Sequence, residues 1–399
     1  MILEIICIAL TIGFFWSTFV VLIGLFVHAP KRPEASPRTR FAVLVCARNE
    51  ERVIAAPVRS VVQSKYPAAL RDVIVLADNC TDHTAAVARE EGAIVWEKTV
   101  PSRGKGDVLA WGIERVLAEG GYDAVAVFDA DNTMAPDWFD KVNAAFLAGE
   151  KAVTGRRFAS NAKSSTISGW YAVYWSIMNE LSNKPRTNLG LSAKLTGTGF
   201  AFLLSALPPE GWRTFTMVED VEFTLQHNLR GGRIVYLPEA EYTDEQPERI
   251  YPMWRQLRRW ATGGWQVLWR YTFEWLRTIV RRPSMRLFDS FFALLTGILV
   301  AFVQFFNILT LVWKLFTGAP VGSALWFFVD VFAFVVVMGL VTAVAAVALS
   351  PRKAVPMIRS IIGFPVFSLI LSGAVLYTLV FPVKKWKPIA HNGIQKEKK

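Results

Sequence analysis

Residues 5–27 run for 23 positions without one charged side chain, enough helix to cross a hydrocarbon layer of about 30 Å. Three more apolar stretches, at about 287–317, 322–349 and 359–382, follow a central segment that is polar and charged. A chain patterned this way must place a folded domain beside helices that need an apolar surrounding. With 53% hydrophobic and only 19% charged residues, it is neither disordered nor an ordinary soluble enzyme. The start, Met-Ile-Leu-Glu, lacks the basic leader of a signal peptide, and Lys31, Arg32, Arg38 and Arg40 follow the first run. That pattern predicts an uncleaved span over residues 1–30 with its N-terminus outside. Three further crossings within 286–383 would leave the C-terminus outside, whereas the lysine-rich tail 384–399 favours the inside. One of the three is therefore expected to be interfacial or re-entrant. Asp330 falls inside an apolar stretch and calls for a partner or a watery cavity.

The formal charge of +11 is unevenly placed. Residues 41–250 hold 22 basic and 27 acidic side chains, while residues 251–290 hold eight arginines against two acids. The positive charge thus borders the apolar segments, where it meets anionic headgroups, and is absent from the central domain, where a nucleic-acid binder would carry it. Membrane lipids are the expected partner and nucleic acid is not. Five tryptophans (Trp254, Trp260, Trp265, Trp269, Trp275) interleave with arginine over 251–285, a pattern expected of amphipathic helices lying in the membrane interface. Cys7, Cys46 and Cys80 have no disulfide or metal spacing, and the four histidines no ligand spacing. A reducing, cytosolic setting for the domain at the plasma membrane follows.

Residues 41–250 alternate strand and helix patterns. Strands are expected at 41–47, 72–78, 93–97 and 124–129, with helices at about 50–63, 81–91 and 104–119. This alternation builds a parallel, doubly wound sheet, in which ligands sit at the carboxyl ends of the strands. Asp78 ends the second strand, and Asp129 and Asp131 the fourth. Two carboxylates at i and i+2 can hold a hard divalent cation that bridges diphosphate oxygens, although the triplet alone arises easily by chance. The segment from Asp78 to Asp82 reads equally as a turn with a helix cap or as a reader of a nucleobase edge. Lys105, between two glycines, opens a helix whose first N–H groups suit an anion. Thr196-Gly-Thr-Gly199 is a strand entry where a group approaches the backbone, or a tight bend. Glu219 and Asp220 begin a helix, where acids meet its dipole; Asp220 can also serve as a general base. In Gln256-Leu-Arg-Arg259-Trp260, arginine suits phosphate and tryptophan suits a sugar face, while a basic membrane anchor is the plainer reading.

The order of these signals resembles that of membrane-bound family-2 glycosyltransferases of the processive polysaccharide synthase type, such as cellulose, hyaluronan, chitin and poly-N-acetylglucosamine synthases. The similarity covers about 41–270. It implies an α/β, GT-A fold (Rossmann-like, with a mostly parallel sheet) in the cytosol, joined to transmembrane and interfacial helices. It also implies inverting transfer from a UDP-sugar donor to a polysaccharide, with passage through the membrane helices; the alternative is one sugar placed on a lipid acceptor. By position, Asp78 would contact the uracil, and Lys105 would lie near the nucleotide. Asp131, with Asp129, would hold magnesium or manganese. Asp220 would be the base, beside Glu219; Gln256 and Arg259 would approach the diphosphate, and Trp260 would stack on the acceptor. Val218 replaces the family's common Thr before Glu-Asp, and a C-terminal Trp-x-x-Thr-x-His reads here as Trp386-Lys-Pro-Ile389-Ala-His391. The membrane part is small for a polymer exporter. Sugar, linkage and oligomeric state are not legible.

Overall fold

A computed structural model describes residues 2–30, 32–318, 320–351 and 356–385; the pattern from Trp386 to His391 and most of the basic tail lie outside them. Helix α1 (Ile2–Phe26) comes first. The central domain then runs β1 (Phe41–Ala47), α2 (Ala55–Val62), β2 (Arg71–Asp78), α3 (Thr84–Glu90), β3 (Ile94–Lys98), α4 (Lys105–Glu119) and β4 (Ala124–Asp129). It continues through β5 (Thr133–Met134), α5 (Trp138–Leu147), β6 (Ala152–Ala159), α6 (Thr166–Ser176), a π-helical stretch Ile177–Asn183 and α7 (Lys184–Asn188). The domain closes with β7 (Phe200–Leu203), α8 (Glu219–Leu229) and β8 (Val235–Asp244).

The eight strands form one sheet in the order β3-β2-β1-β4-β7-β6-β8-β5. β1 pairs in parallel with both β2 and β4, β2 with β3, and β6 with β8. The short β7 runs antiparallel between β4 and β6, and β5 antiparallel to β8. The unbroken apolar runs follow from burial on both faces. In β1, Val43 and Val45 face a core with Val58, Val61, Trp138 and Phe139, whereas Ala42 and Leu44 face another with Leu109, Ile113 and Phe223. Helix α2 starts later than the pattern predicts. Asn49 takes a left-handed φ of 59° and accepts from Thr81 N–H at 2.8 Å, and Glu50 N–H donates to Thr84 Oγ1 at 2.8 Å. Those contacts bend residues 48–54 over the strand ends.

Beyond the sheet lie α9 (Ile250–Arg281), α10 (Met285–Phe316), α11 (Val321–Leu349), α12 (Ile358–Ile362) and α13 (Phe364–Val380). The tryptophan-rich strip is one continuous helix of 32 residues, not several, and most of its indoles do not face outward. Trp275 is 1% exposed and donates to Leu287 O at 3.1 Å. Trp265 donates to Val375 O at 3.1 Å, and Trp254 packs on Tyr377. Among the five, only Trp269 is open, at 83%; with Phe273, Leu276 and Val280 it forms an exposed apolar stripe on the C-terminal half of α9. By length and composition, α11 can cross a membrane alone, and α10 can as a pair of segments bent by 42° between Leu295 and Val300. At 17 residues, α13 is shorter and lies against α9.

Candidate functional site

The carboxyl ends of β1, β2 and β4 open into one cavity of about 860 Å³. Asp78, Lys105, Asp129, Asp131, Glu219, Asp220, Gln256, Arg259 and Trp260 all line it. Asp78 is buried; its Oδ2 accepts from Ser102 Oγ at 2.6 Å and pairs with Arg48 at 3.5 Å. Asn79, in a left-handed φ of 49°, also donates to it at 2.8 Å. The carboxylate is thus fixed at the mouth of the strand by groups from the β1 and β3 ends.

Lys105 is the first residue of α4, and its Nζ binds the Asp129 carboxylate and donates to Gly197 O at 2.5 Å. Glu219 Oε1 lies 4.0 Å away. Burial opposes the ammonium charge, but Asp129 and Glu219 outweigh it and raise the lysine pKa. Asp131 accepts from Glu245 N–H at 3.1 Å and from Asn132 Nδ2 at 3.3 Å. The Thr-Gly-Thr-Gly segment is a bend that lets the backbone approach. Gly197 has a φ of +87°, and a Cβ there would lie 3.9 Å from Asp220 Oδ2. Gly199 has a φ of +65°, and a Cβ there would collide with the Tyr242 ring. Thr198 Oγ1 meets the Asp129 N–H at 2.9 Å. Glu219 and Asp220 sit buried at the start of α8. Burial pushes both carboxyl groups up, against the pull of Lys105 and Arg259.

Gln256, Arg259 and Trp260 fall at i, i+3 and i+4 on α9 and so share a face, which turns to the cavity. Helix α9 is held over α8: Gln266 Oε1 accepts from Met217 N–H at 2.9 Å, and Tyr271 Oη donates to Glu222 at 2.7 Å. Arg259 donates to Met217 O at 3.2 Å, and Gln256 Oε1 is buried without a hydrogen-bond partner among the described residues. Trp260 stacks on Tyr174 at 5.8 Å and meets Trp175 at 5.9 Å.

Three lining residues escaped the motif reading. Arg157 on β6 pairs with Asp244 at the end of β8 (Nε to Oδ2, 3.0 Å), donates to Thr196 O at 2.7 Å and lies 3.7 Å over the Trp175 ring. Gln246 follows two residues after Asp244. The rule that ligands gather at carboxyl strand ends points to both, once β8 is known to run parallel to β6. The opposite end of the cavity is walled by Ser17 and Val21 of α1, Leu294 and Ile298 of α10, and Leu371 and Val375 of α13. Cys46 also lines the cavity, but burial pushes its thiol up to about 12, so it supplies no thiolate near neutrality. Among the described residues no group of three or more His, Cys, Asp or Glu is gathered to hold a metal.

Residues 37–263 match the sequence model of the family described as "Glycosyltransferase like family 2". A stretch of 262 residues is 28% identical to a probable glycosyltransferase, YdaM, of Bacillus subtilis (strain 168), covering 63% of this chain and 62% of that protein. Over 241 residues the chain is 29% identical to the poly-beta-1,6-N-acetyl-D-glucosamine synthase of Staphylococcus aureus (strain COL), covering 59% and 57%. The chain therefore spans about three fifths of the length of these curated relatives. Among solved structures, the mannosyltransferase PcManGT from Pyrobaculum calidifontis, in complex with GDP-Man and Mn2+, superposes with a TM-score of 0.55 over 94% of this chain and 99% of that one, at 18% identity. That likeness is one of fold, and it bears out the GT-A architecture.

Proposed function

From a chain that belongs to glycosyltransferase-like family 2, we propose an inverting transferase that moves a sugar from a UDP-sugar to the growing end of a polysaccharide at the plasma membrane. The observation that carries this is convergence: nine residues chosen along 183 positions of chain, from Asp78 to Trp260, line one cavity. In this reading Asp78 meets the uracil, and Lys105 and Arg259 place positive charge along the diphosphate. Gln256 stands beside them. Among the described residues the two carboxylates have no third His, Cys, Asp or Glu gathered with them, and paired carboxylates suit a hard divalent cation. Asp131, with Asp129, would hold magnesium or manganese there, supplying charge to the leaving oxygens.

Asp220 accepts the proton of the attacking hydroxyl, Glu219 lies beside it, and Trp260 seats the acceptor sugar. A carboxylate with a raised pKa is a stronger base than an ordinary one, provided it is ionised. The cavity reaches α1, α10 and α13, which supports passage of product among the membrane helices, with the catalytic domain cytosolic. The apolar walls at that end, Val21, Ile298, Leu371 and Val375, favour a second reading in which the acceptor is a membrane lipid that receives a single sugar.

Incubation of purified protein with radiolabelled UDP-sugars, followed by product sizing, separates the two. Long glycosidase-sensitive chains support the polymer, and one sugar on an extractable lipid supports the alternative. Asp220→Asn is expected to lose transfer by at least 100-fold while UDP binding survives. Unchanged turnover would discard the base assignment.

A further inference from the structure

Asp244 and Gln246 are each 2% exposed, line the cavity, and carry polar atoms that the protein leaves unsatisfied. By ordinary hydrogen-bond geometry Asp244 Oδ1 and both amide atoms of Gln246 have no partner among the described residues, although the Gln246 amide lies near enough to the Asp244 carboxyl to favour its charged form. A buried polar group without a partner is costly, and native proteins rarely keep several together unless something else completes them. The backbone that carries them is firmly set. Ser160 N–H donates to Asp244 O at 2.8 Å. Gln246 N–H donates to Asn161 Oδ1 at 2.9 Å, and Asn161 Nδ2 returns a bond to Gln246 O at 2.8 Å.

Their place in the cavity is equally defined. On one side, the intervening Glu245 N–H binds Asp131. On the other, Asp244 pairs with Arg157, which lies on Trp175, and Trp175 meets Trp260. These two side chains thus stand between the residues assigned to the diphosphate and the residue assigned to the acceptor, where the transferred sugar must pass.

We propose that the Gln246 carboxamide reads the sugar being transferred. Its N–H and C=O pair with two polar substituents of the ring, and Asp244 Oδ1 accepts from a third. The proposal rests on the nucleotide-sugar reading above. Gln246 is a specificity residue in it, and the unpaired amide is prearranged for the sugar. A site built to hydrogen-bond a substrate discriminates strongly against analogues that leave it unpaired.

The test compares full-length wild type, Gln246→Leu and Gln246→Glu in lipid nanodiscs, with UDP, UDP-glucose, UDP-galactose and UDP-N-acetylglucosamine as probes. Gln246→Leu removes the unpaired amide at nearly constant volume. Its melting temperature without ligand is expected to equal or exceed that of wild type, and its Kd for UDP to stay within twofold. KM for the preferred UDP-sugar is expected to rise at least tenfold, with the preference among the three sugars flattened. Gln246→Glu, which loses the donor and keeps the shape, is expected to reorder that preference. Unchanged KM and preference in both variants would overturn the proposal. So would a lowered melting temperature with parallel loss of UDP affinity, since that marks a structural amide. A wild type that neither binds UDP nor transfers any sugar would instead sink the underlying reading, and the proposal with it.

Discussion

Lys105 draws on two acids, Glu219 and Asp220, that lose their protons only reluctantly. Burial pushes Glu219 up to about 7 and raises Asp220, while Lys105 draws both back. The folded protein therefore binds protons more tightly than the unfolded chain between the ordinary carboxylate range, near ~4, and about 7. Stability falls as pH rises through that window, whereas a base at Asp220, whose pKa is raised, becomes competent only as it ionises, so activity climbs as pH rises above the ordinary carboxylate range. Lys105→Met removes a downward pull on both acids. The acid limb of kcat is expected to move to higher pH, read from turnover at saturating donor between pH 5 and 9; an unmoved limb would detach Lys105 from the acid pair. At this scale the sequence was informative where a motif marked the residue, as at Asp131 or Trp260. Arg157, Asp244 and Gln246 were missed because their meaning depends on β8 lying parallel to β6, a long-range pairing that no local pattern encodes.

Strands and helices were legible to different degrees for physical reasons. β1 and β4 appear at the residues their apolar runs mark, because burial on both faces leaves little freedom in register. The strip after the sheet was harder. Tryptophan and arginine at helical spacing fit a membrane face, a helix-packing face or both, and composition cannot apportion them. Helix α9 divides them: Trp254, Trp260, Trp265 and Trp275 pack inward, and Trp269 joins the exposed stripe with Phe273, Leu276 and Val280. Trp275→Ala is expected to cost about 3–5 kcal/mol, as for other buried large aromatic truncations. Trp269→Ala is expected to change stability by no more than about 0.5 kcal/mol. In bilayers containing brominated lipids, however, it should remove a lipid-quenched share of the fluorescence. Equal stability losses in the two variants would mean that α9 does not sort its indoles in this way.

The molecule as a whole joins a GT-A sheet to a set of helices through one cavity, and α9 forms part of its wall. Two adjacent glycines on that wall separate its functions. A Cβ at Gly263 would lie 2.6 Å from Val218, the residue before Glu219 and Asp220, whereas a Cβ at Gly264 would meet nothing within 4 Å. Gly264 lines the cavity, and its neighbours Ala261 and Trp265 pack with Ile298 and Ala301 of α10 and Val375 of α13. Gly263→Ala must therefore push α9 away from Val218 and the start of α8. Gly264→Ala fits without displacement and gains up to about 1 kcal/mol of helix propensity. Gly264→Trp grows into the space through which the polymer reading routes the product. It is expected to keep wild-type UDP affinity and to shorten the chains made from the preferred UDP-sugar, measured by sizing at equal donor consumption. Because the side chain enters beyond Trp260 and leaves the β2 and β4 ends untouched, obstruction lengthens the time a nascent chain needs to advance without weakening donor binding. An unaltered length distribution would place the exit elsewhere than between α9, α10 and α13.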